Sequence, residues 1–421
     1  MRGMENGFSP MRTGAQPQDY PPGAAEKTTH FQRIAWLLFC GVSLQLTFLN
    51  PSIILLPGER TNLFSGLLCA ISLAATICIA RKGDLVRSRG EAAIYLSLVG
   101  LVLLSGLVSS APLTNSLRGL VLLASGLGGF WGARVLLAAE ARQRYFLRLA
   151  LLMLAGFLLV GLVSYLLSGK ITTAMDPKYH SLATKTMLLW FAPLTLLWGS
   201  TAKKIMGAVL IGLSYLLFSL TELRSAMLLP LILGLLAVFI GRLRVRYFLL
   251  ILLASSAVLF YFIRHLPYYK MGMEYEPAYY RVENIAFSWH VALKHPLLGI
   301  GLLTPREEFL KDYEIKYPYV TREEFSKSLG AIKVADNMLL TFMVGVGIPF
   351  VLIYCLSLIK LMKVLVGAIY TQTETTTIPP LALFLPLVSA LLSFFIYDIL
   401  LHPQVCWFFH LLLGLIPWRR Q

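Results

Sequence analysis

The chain has 421 residues, of which 57% are hydrophobic and only 14% charged, and its mean hydropathy is +0.71. A water-soluble domain carries about 25% charged residues, so this composition excludes an ordinary soluble globule and makes a bilayer the natural solvent. The net charge of +16 does not argue for nucleic-acid binding, because the basic residues fall between apolar spans and form no single patch.

The first thirty or so residues are polar and rich in Gly and Pro. Such a stretch is expected to be a disordered tail, over residues 1–32, and it lacks the layout of a cleavable signal peptide. A membrane-crossing helix needs about 20 apolar residues. In chain order that criterion predicts about twelve spans, near 33–55, 61–80, 92–111, 118–139, 146–168, 186–202, 205–221, 225–241, 247–264, 337–359, 381–400 and 403–418. The shortest interruptions are the one at Glu222–Arg224 and the one at His402–Pro403.

Every second connection is basic: Arg81, Lys82, Arg87 and Arg89; Arg142, Arg144 and Arg148; Lys203 and Lys204; Arg242, Arg244 and Arg246; Lys360 and Lys363; Arg419 and Arg420. By the positive-inside rule these loops are cytoplasmic, as are both termini. The alternate loops are poorer in Lys and Arg, except the one holding Lys170, Lys178 and Lys185. This orientation turns Lys178, His180 and Lys185 outward, together with Glu222, Arg224 and His402. It also leaves one long outer segment, 265–335, between helices nine and ten. The expected organisation is thus a tail (1–32), nine spans (33–264), an outer loop (265–335) and three spans (336–421), all of it helical.

A loop of that length is uncommon without structure or function. Tyr280 to His295 has a helical period, with Val282, Ile285, Trp289 and Leu293 on one stripe. Thr304-Pro305-Arg306-Glu307 and Thr321-Arg322-Glu323-Glu324 both read as helix starts. Two or three short helices on the outer face are therefore expected, at the least as an amphipathic lid over the bundle.

The five cysteines, Cys40, Cys69, Cys78, Cys355 and Cys406, sit in apolar segments without metal-ligand spacing and read as small buried hydrophobes. Gly126, Gly128, Gly129 and Gly132 on the fourth helix read as a close-packing face. Walker A, DxD, HExxH and GxSxG patterns are absent from the sequence. Metal-dependent use of nucleotide sugars and serine hydrolysis therefore lack their usual residues.

Three residues are better placed for chemistry. Arg224 lies between two apolar spans, where a charge is paired or binds a ligand; the partner is either Glu222 or an anion. Arg281 opens the amphipathic helix of the loop, as a solvated helix-end charge or as a planar fork of donors for phosphate oxygens. Asp336 begins helix ten, as an N-cap or as a general base toward an acceptor hydroxyl.

Three stretches carrying these residues resemble the O-antigen ligase and polymerase superfamily of bacterial envelope glycosyltransferases. They are Thr221-Glu222-Leu223-Arg224-Ser225-Ala226; Arg281 through Lys294-His295-Pro296-Leu297-Leu298-Gly299-Ile300-Gly301; and Asp336-Asn337-Met338-Leu339-Leu340 followed by Gly345-Val346-Gly347-Ile348. The resemblance implies a metal-independent transferase in the bacterial inner membrane with its site on the periplasmic side. The donor it implies is a glycan on undecaprenyl diphosphate, bound by Arg224 and Arg281, and the acceptor is lipid A core or another glycan. Asp336 stands where the family has a histidine that activates the acceptor, a departure that favours a polymerase more than the histidine would. Lys178, His180 and Asn337 complete the candidate substrate contacts. No cofactor is implied, and no partner beyond these substrates and the bilayer. A transporter of lipid-linked sugars is the alternative from a different class; it needs a charged path through the bundle, for which Asp398 is the clearest intrahelical candidate.

Overall fold

The computed structural model describes residues 25–48, 58–80, 84–86, 88–109, 113–168, 179–220, 275–302, 304, 306–316, 320–331, 335, 337–371, 377–395 and 399–416. Among these residues every regular element is a helix, as the composition predicts. The helices are α1 (Ala25–Phe48), α2 (Gly58–Ile79), α3 (Arg89–Val108), α4 (Leu113–Leu136), α5 (Glu140–Ser168), α6 (Tyr179–Leu189), α7 (Phe191–Leu196) and α8 (Thr201–Leu220). After residues 221–274 come α9 (Tyr275–Lys294), α10 (Arg322–Ala331), α11 (Met338–Val346), α12 (Ile348–Thr371), α13 (Pro380–Phe394) and α14 (Pro403–Gly414).

Six described helices are long and apolar enough to cross a membrane, over His30–Phe48, Arg89–Val108, Gly119–Leu136, Glu140–Leu167, Thr201–Phe218 and Ile348–Thr371. Phe64–Ile79 and Pro380–Phe394 are shorter apolar helices. The spans expected near 225–241 and 247–264 lie outside the described residues. The apolar windows marked the bilayer-sized part of each helix, whereas backbone hydrogen bonding continues into polar flanks. Thus α1 begins at Ala25 instead of 33, and α5 begins at Glu140, which places Arg142, Arg144 and Arg148 on a helix and not in a loop. Lys360 and Lys363, expected in a connection, likewise stand within α12. The predicted span 337–359 is in fact two helices, because Gly347 adopts φ +103° and breaks the chain between α11 and α12.

The bundle is held at its centre by α14 packed along α4. The glycine face of α4 makes that approach possible. A Cβ on Gly128 would lie 2.8 Å from the Trp407 ring, one on Gly129 would run into the Trp407 carbonyl, and one on Gly132 would meet Phe39 at 2.5 Å. Small residues let helices approach closely enough for dispersion to replace the missing hydrophobic drive inside a bilayer. Trp407 closes this core, buried against Phe39 with ring centroids 5.4 Å apart and donating its indole N–H to Ser43 Oγ at 3.1 Å.

Lys185 departs from its expected place in an outward loop. It sits on α6, buried, with its ammonium 4.5 Å from the Phe157 ring centroid and donating to the Thr47 carbonyl near the end of α1 at 3.3 Å. A helix C-terminal carbonyl and an aromatic face together compensate a cation that water would otherwise hold.

Candidate functional site

The described residues from α9 to α11 fold into a small layer at one end of the bundle. Phe287, Val291 and Ala292 of α9 pack with Ile300, Leu310, Tyr313, Val320, Phe325 and Leu329, and with Leu340 and Val344 of α11. This core therefore joins the helix carrying Arg281 to the helix that follows Asp336. Two charged side chains inside it find partners. Glu283, fully buried, accepts from the Tyr313 hydroxyl at 2.6 Å and from the Lys316 backbone N–H at 3.1 Å. Arg306, also buried, donates to Ser288 Oγ and lies over the Phe287 ring, 5.9 Å from its centroid.

The turns of this layer follow the sequence in part. Thr321 caps α10 and pairs with Glu324: its Oγ accepts from Glu324 N–H at 3.4 Å and donates to the Glu324 carboxylate at 2.7 Å. The second expected start differs. The segment Glu307–Asp312 is a 3-10 helix whose N-cap is Arg306, without a side-chain cap. Thr304 instead donates to the Ile300 carbonyl at 2.9 Å, which spends its hydroxyl on the preceding turn.

Immediately after α9 the chain runs alongside the α11–α12 break. Ile300 N–H donates to Val344 O at 2.8 Å, Gly301 N–H to Gly345 O at 2.9 Å, and Ile348 N–H to Pro296 O at 2.8 Å. Ser105 of α3 donates to the Gly345 carbonyl at 2.7 Å and ties this clasp to the bundle. The glycines of the two stretches are what let the backbones meet. Gly299, Gly301 and Gly347 have φ of +63°, +96° and +103°. A Cβ on Gly299 would strike the Val344 carbonyl, and one on Gly347 the Leu297 carbonyl.

Arg281 is exposed on α9. Asn337 is the N-cap of α11: its Oδ1 accepts from Leu340 N–H at 3.0 Å and its Nδ2 donates to the Phe395 carbonyl at 3.3 Å. This corrects the N-cap reading of Asp336, since the cap belongs to the next residue. Asp336, Arg224, Lys178 and Asp398 lie outside the described residues, and His180 is on α6 with its side chain outside them. His402 is the N-cap of α14, without a side-chain cap bond. Among the described residues no three His, Cys, Asp or Glu side chains converge as a metal site.

Sequence reading passed over a second feature, a cavity of about 150 Å³ among α3, α4, α12 and α14. It reaches from Leu302 and Val346, beside the clasp, to Glu91 and Lys360, and its walls are largely apolar, with Leu98, Leu123 and Phe350 among them. Two polar pairs interrupt the lining. Glu91 receives the guanidinium of buried Arg134 in an ion pair and the Tyr95 hydroxyl at 3.1 Å. His410 donates from Nδ1 to the Cys406 carbonyl at 2.8 Å, so its Nε2 accepts from Tyr354 at 3.2 Å. The available signal was Glu91 and Arg134 themselves, two opposite charges set in largely apolar helices.

Set against known proteins, residues 187–355 match a family described as O-antigen ligase. That range contains Arg224, Arg281, Asp336 and both halves of the clasp. No curated protein matches the chain.

Proposed function

We propose that this multi-pass membrane protein, whose residues 187–355 match a family described as O-antigen ligase, transfers a polysaccharide from undecaprenyl diphosphate to lipid A core on the periplasmic face of the bacterial inner membrane. In this reading the acceptor hydroxyl attacks the anomeric carbon of the donor sugar. A C–O bond to the acceptor forms, the bond to the diphosphate breaks, and the hydroxyl proton passes to the Asp336 carboxylate. Arg224 and Arg281 neutralise the departing diphosphate, which lets the reaction proceed without a metal. Lys178 and His180 line the approach of the glycan, and Asn337 holds the start of α11 beside Asp336.

The observation that carries the reading is the clasp. It unites the second and third family-like stretches through three backbone hydrogen bonds, so the helix with exposed Arg281 and helix α11 are joined through one core. The apolar cavity beside that unit suits part of a lipid carrier chain.

A second reading, polymerisation of lipid-linked repeat units, is favoured by Asp336 standing where the family's ligases keep histidine. Purified protein in liposomes, given a lipid-linked glycan with and without lipid A core, separates the two. Product on lipid A core alone is expected for a ligase, and longer lipid-linked glycan without it for a polymerase. Arg281→Ala is expected to lower turnover by about 10²-fold or more, the size of losing one donor to a developing anion. Full activity in folded Arg224→Ala and Arg281→Ala variants would sink the assignment.

A further inference from the structure

Helix α9 is built the reverse of a helix that covers a core from water. Its buried face carries Glu283, Asn284 and Ser288 beside Phe287 and Val291. Its free face carries Val282, Ile285, Trp289 and Leu293, which are 39 to 55% exposed. These residues stand three, four and four apart, which makes one continuous stripe on the helix. In water, four large apolar side chains in a row would be left unburied while Glu283, Asn284 and Ser288 are turned inward. A helix with that inversion belongs against an apolar phase.

The position of α9 identifies that phase. Its last turn runs directly into Pro296, whose carbonyl accepts from the N–H of Ile348, the first residue of a membrane-crossing helix. Three residues before Ile348, the Gly345 carbonyl accepts from Ser105, in the last turn of the span that ends at Val108. The C-terminal end of α9 is therefore level with the ends of two spans. With Glu283, Asn284, His290 and Lys294 along its length, α9 is too polar to cross the bilayer itself, and it is not among the apolar helices of the chain.

We propose that α9 lies in the interfacial layer of the same membrane, with Val282, Ile285, Trp289 and Leu293 in the acyl region of the leaflet beside the clasp. An indole is well suited to that depth, since its ring prefers the boundary between acyl chains and headgroups. Arg281 stands one turn before Ile285 on the flank of the stripe, so its guanidinium lies at the level of the lipid phosphates. The inference depends on the spans and the stripe alone and holds whichever acceptor the protein uses.

The test uses the full chain in vesicles of phosphatidylethanolamine and phosphatidylglycerol, with or without bromine on the acyl chains. Subtracting the emission of Trp289→Phe from that of the wild type isolates Trp289. That signal is expected to lose most of its intensity in brominated vesicles and to be untouched by aqueous iodide. A Leu293→Trp substitution in the Trp289→Phe background moves the reporter one turn along the stripe, and the same result is expected. Quenching of either reporter by iodide, with none by the brominated chains, would overturn the proposal and show that the stripe faces water or a soluble partner.

Discussion

Asn337 shows how neighbouring residues divide one task. Both ends of its amide are engaged, the oxygen on Leu340 N–H and the nitrogen on the Phe395 carbonyl. The N-cap of α11 is therefore supplied by Asn337. Asp312 is simpler. The Lys294 ammonium, 2.9 Å away, holds its carboxyl below the usual carboxylate range. A depressed folded value means the contact stabilises at neutral pH and is lost as the pH falls through that value. Both groups are largely exposed, so the effect is small. Asp312→Asn is expected to speed hydrogen exchange in Glu307–Tyr313 at neutral pH and to make no difference in strong acid. Equal acceleration at both pH values would show that packing, not charge, is at stake.

The element that decides the geometry of the candidate site is the clasp. Gly347 needs a positive φ and a bare Cα at the same point, because the Leu297 carbonyl occupies the place of a side chain. An alanine there meets both objections. Gly347→Ala is expected to cost more than about 1 kcal/mol, the range for alanine where φ is positive, with the clash added. Because the clasp sets α9 against α11, transfer by the surviving folded protein should fall further than its melting temperature suggests. Unchanged turnover in folded Gly347→Ala would mean that the clasp does not orient the site. The same glycines explain why the two family-like stretches share their spacing: they are the two sides of one backbone contact.

Across the whole molecule, the buried pair Glu91–Arg134 couples α3 to α4 at the far end of the cavity from the clasp. Removing one partner leaves an uncompensated charge among apolar side chains. Glu91→Ala is expected to destabilise the protein by about 3 kcal/mol or more, read from thermal unfolding in detergent. The double variant Glu91→Gln, Arg134→Met should recover much of that loss, since no buried charge remains. If the single change were as mild as the double, the pair would be a surface contact in practice.

Composition and period alone determined that this chain is helical and crosses a membrane, because a bilayer demands runs of apolar residues with all backbone bonds satisfied within each helix. They also marked the glycine face of α4, the helix start at Thr321 and the stripe on α9, since these depend on neighbours close in sequence. What faces what is a different matter. A helical period cannot say which side of α9 is buried, and here it is the side with Glu283, Asn284 and Ser288 beside Phe287 and Val291. Nor can it show that Lys185 lies against Phe157, that Glu91 finds Arg134, or that Pro296 meets Ile348. Those pairings depend on where distant helices end and how closely their glycines let them approach, and only the packed bundle decides that.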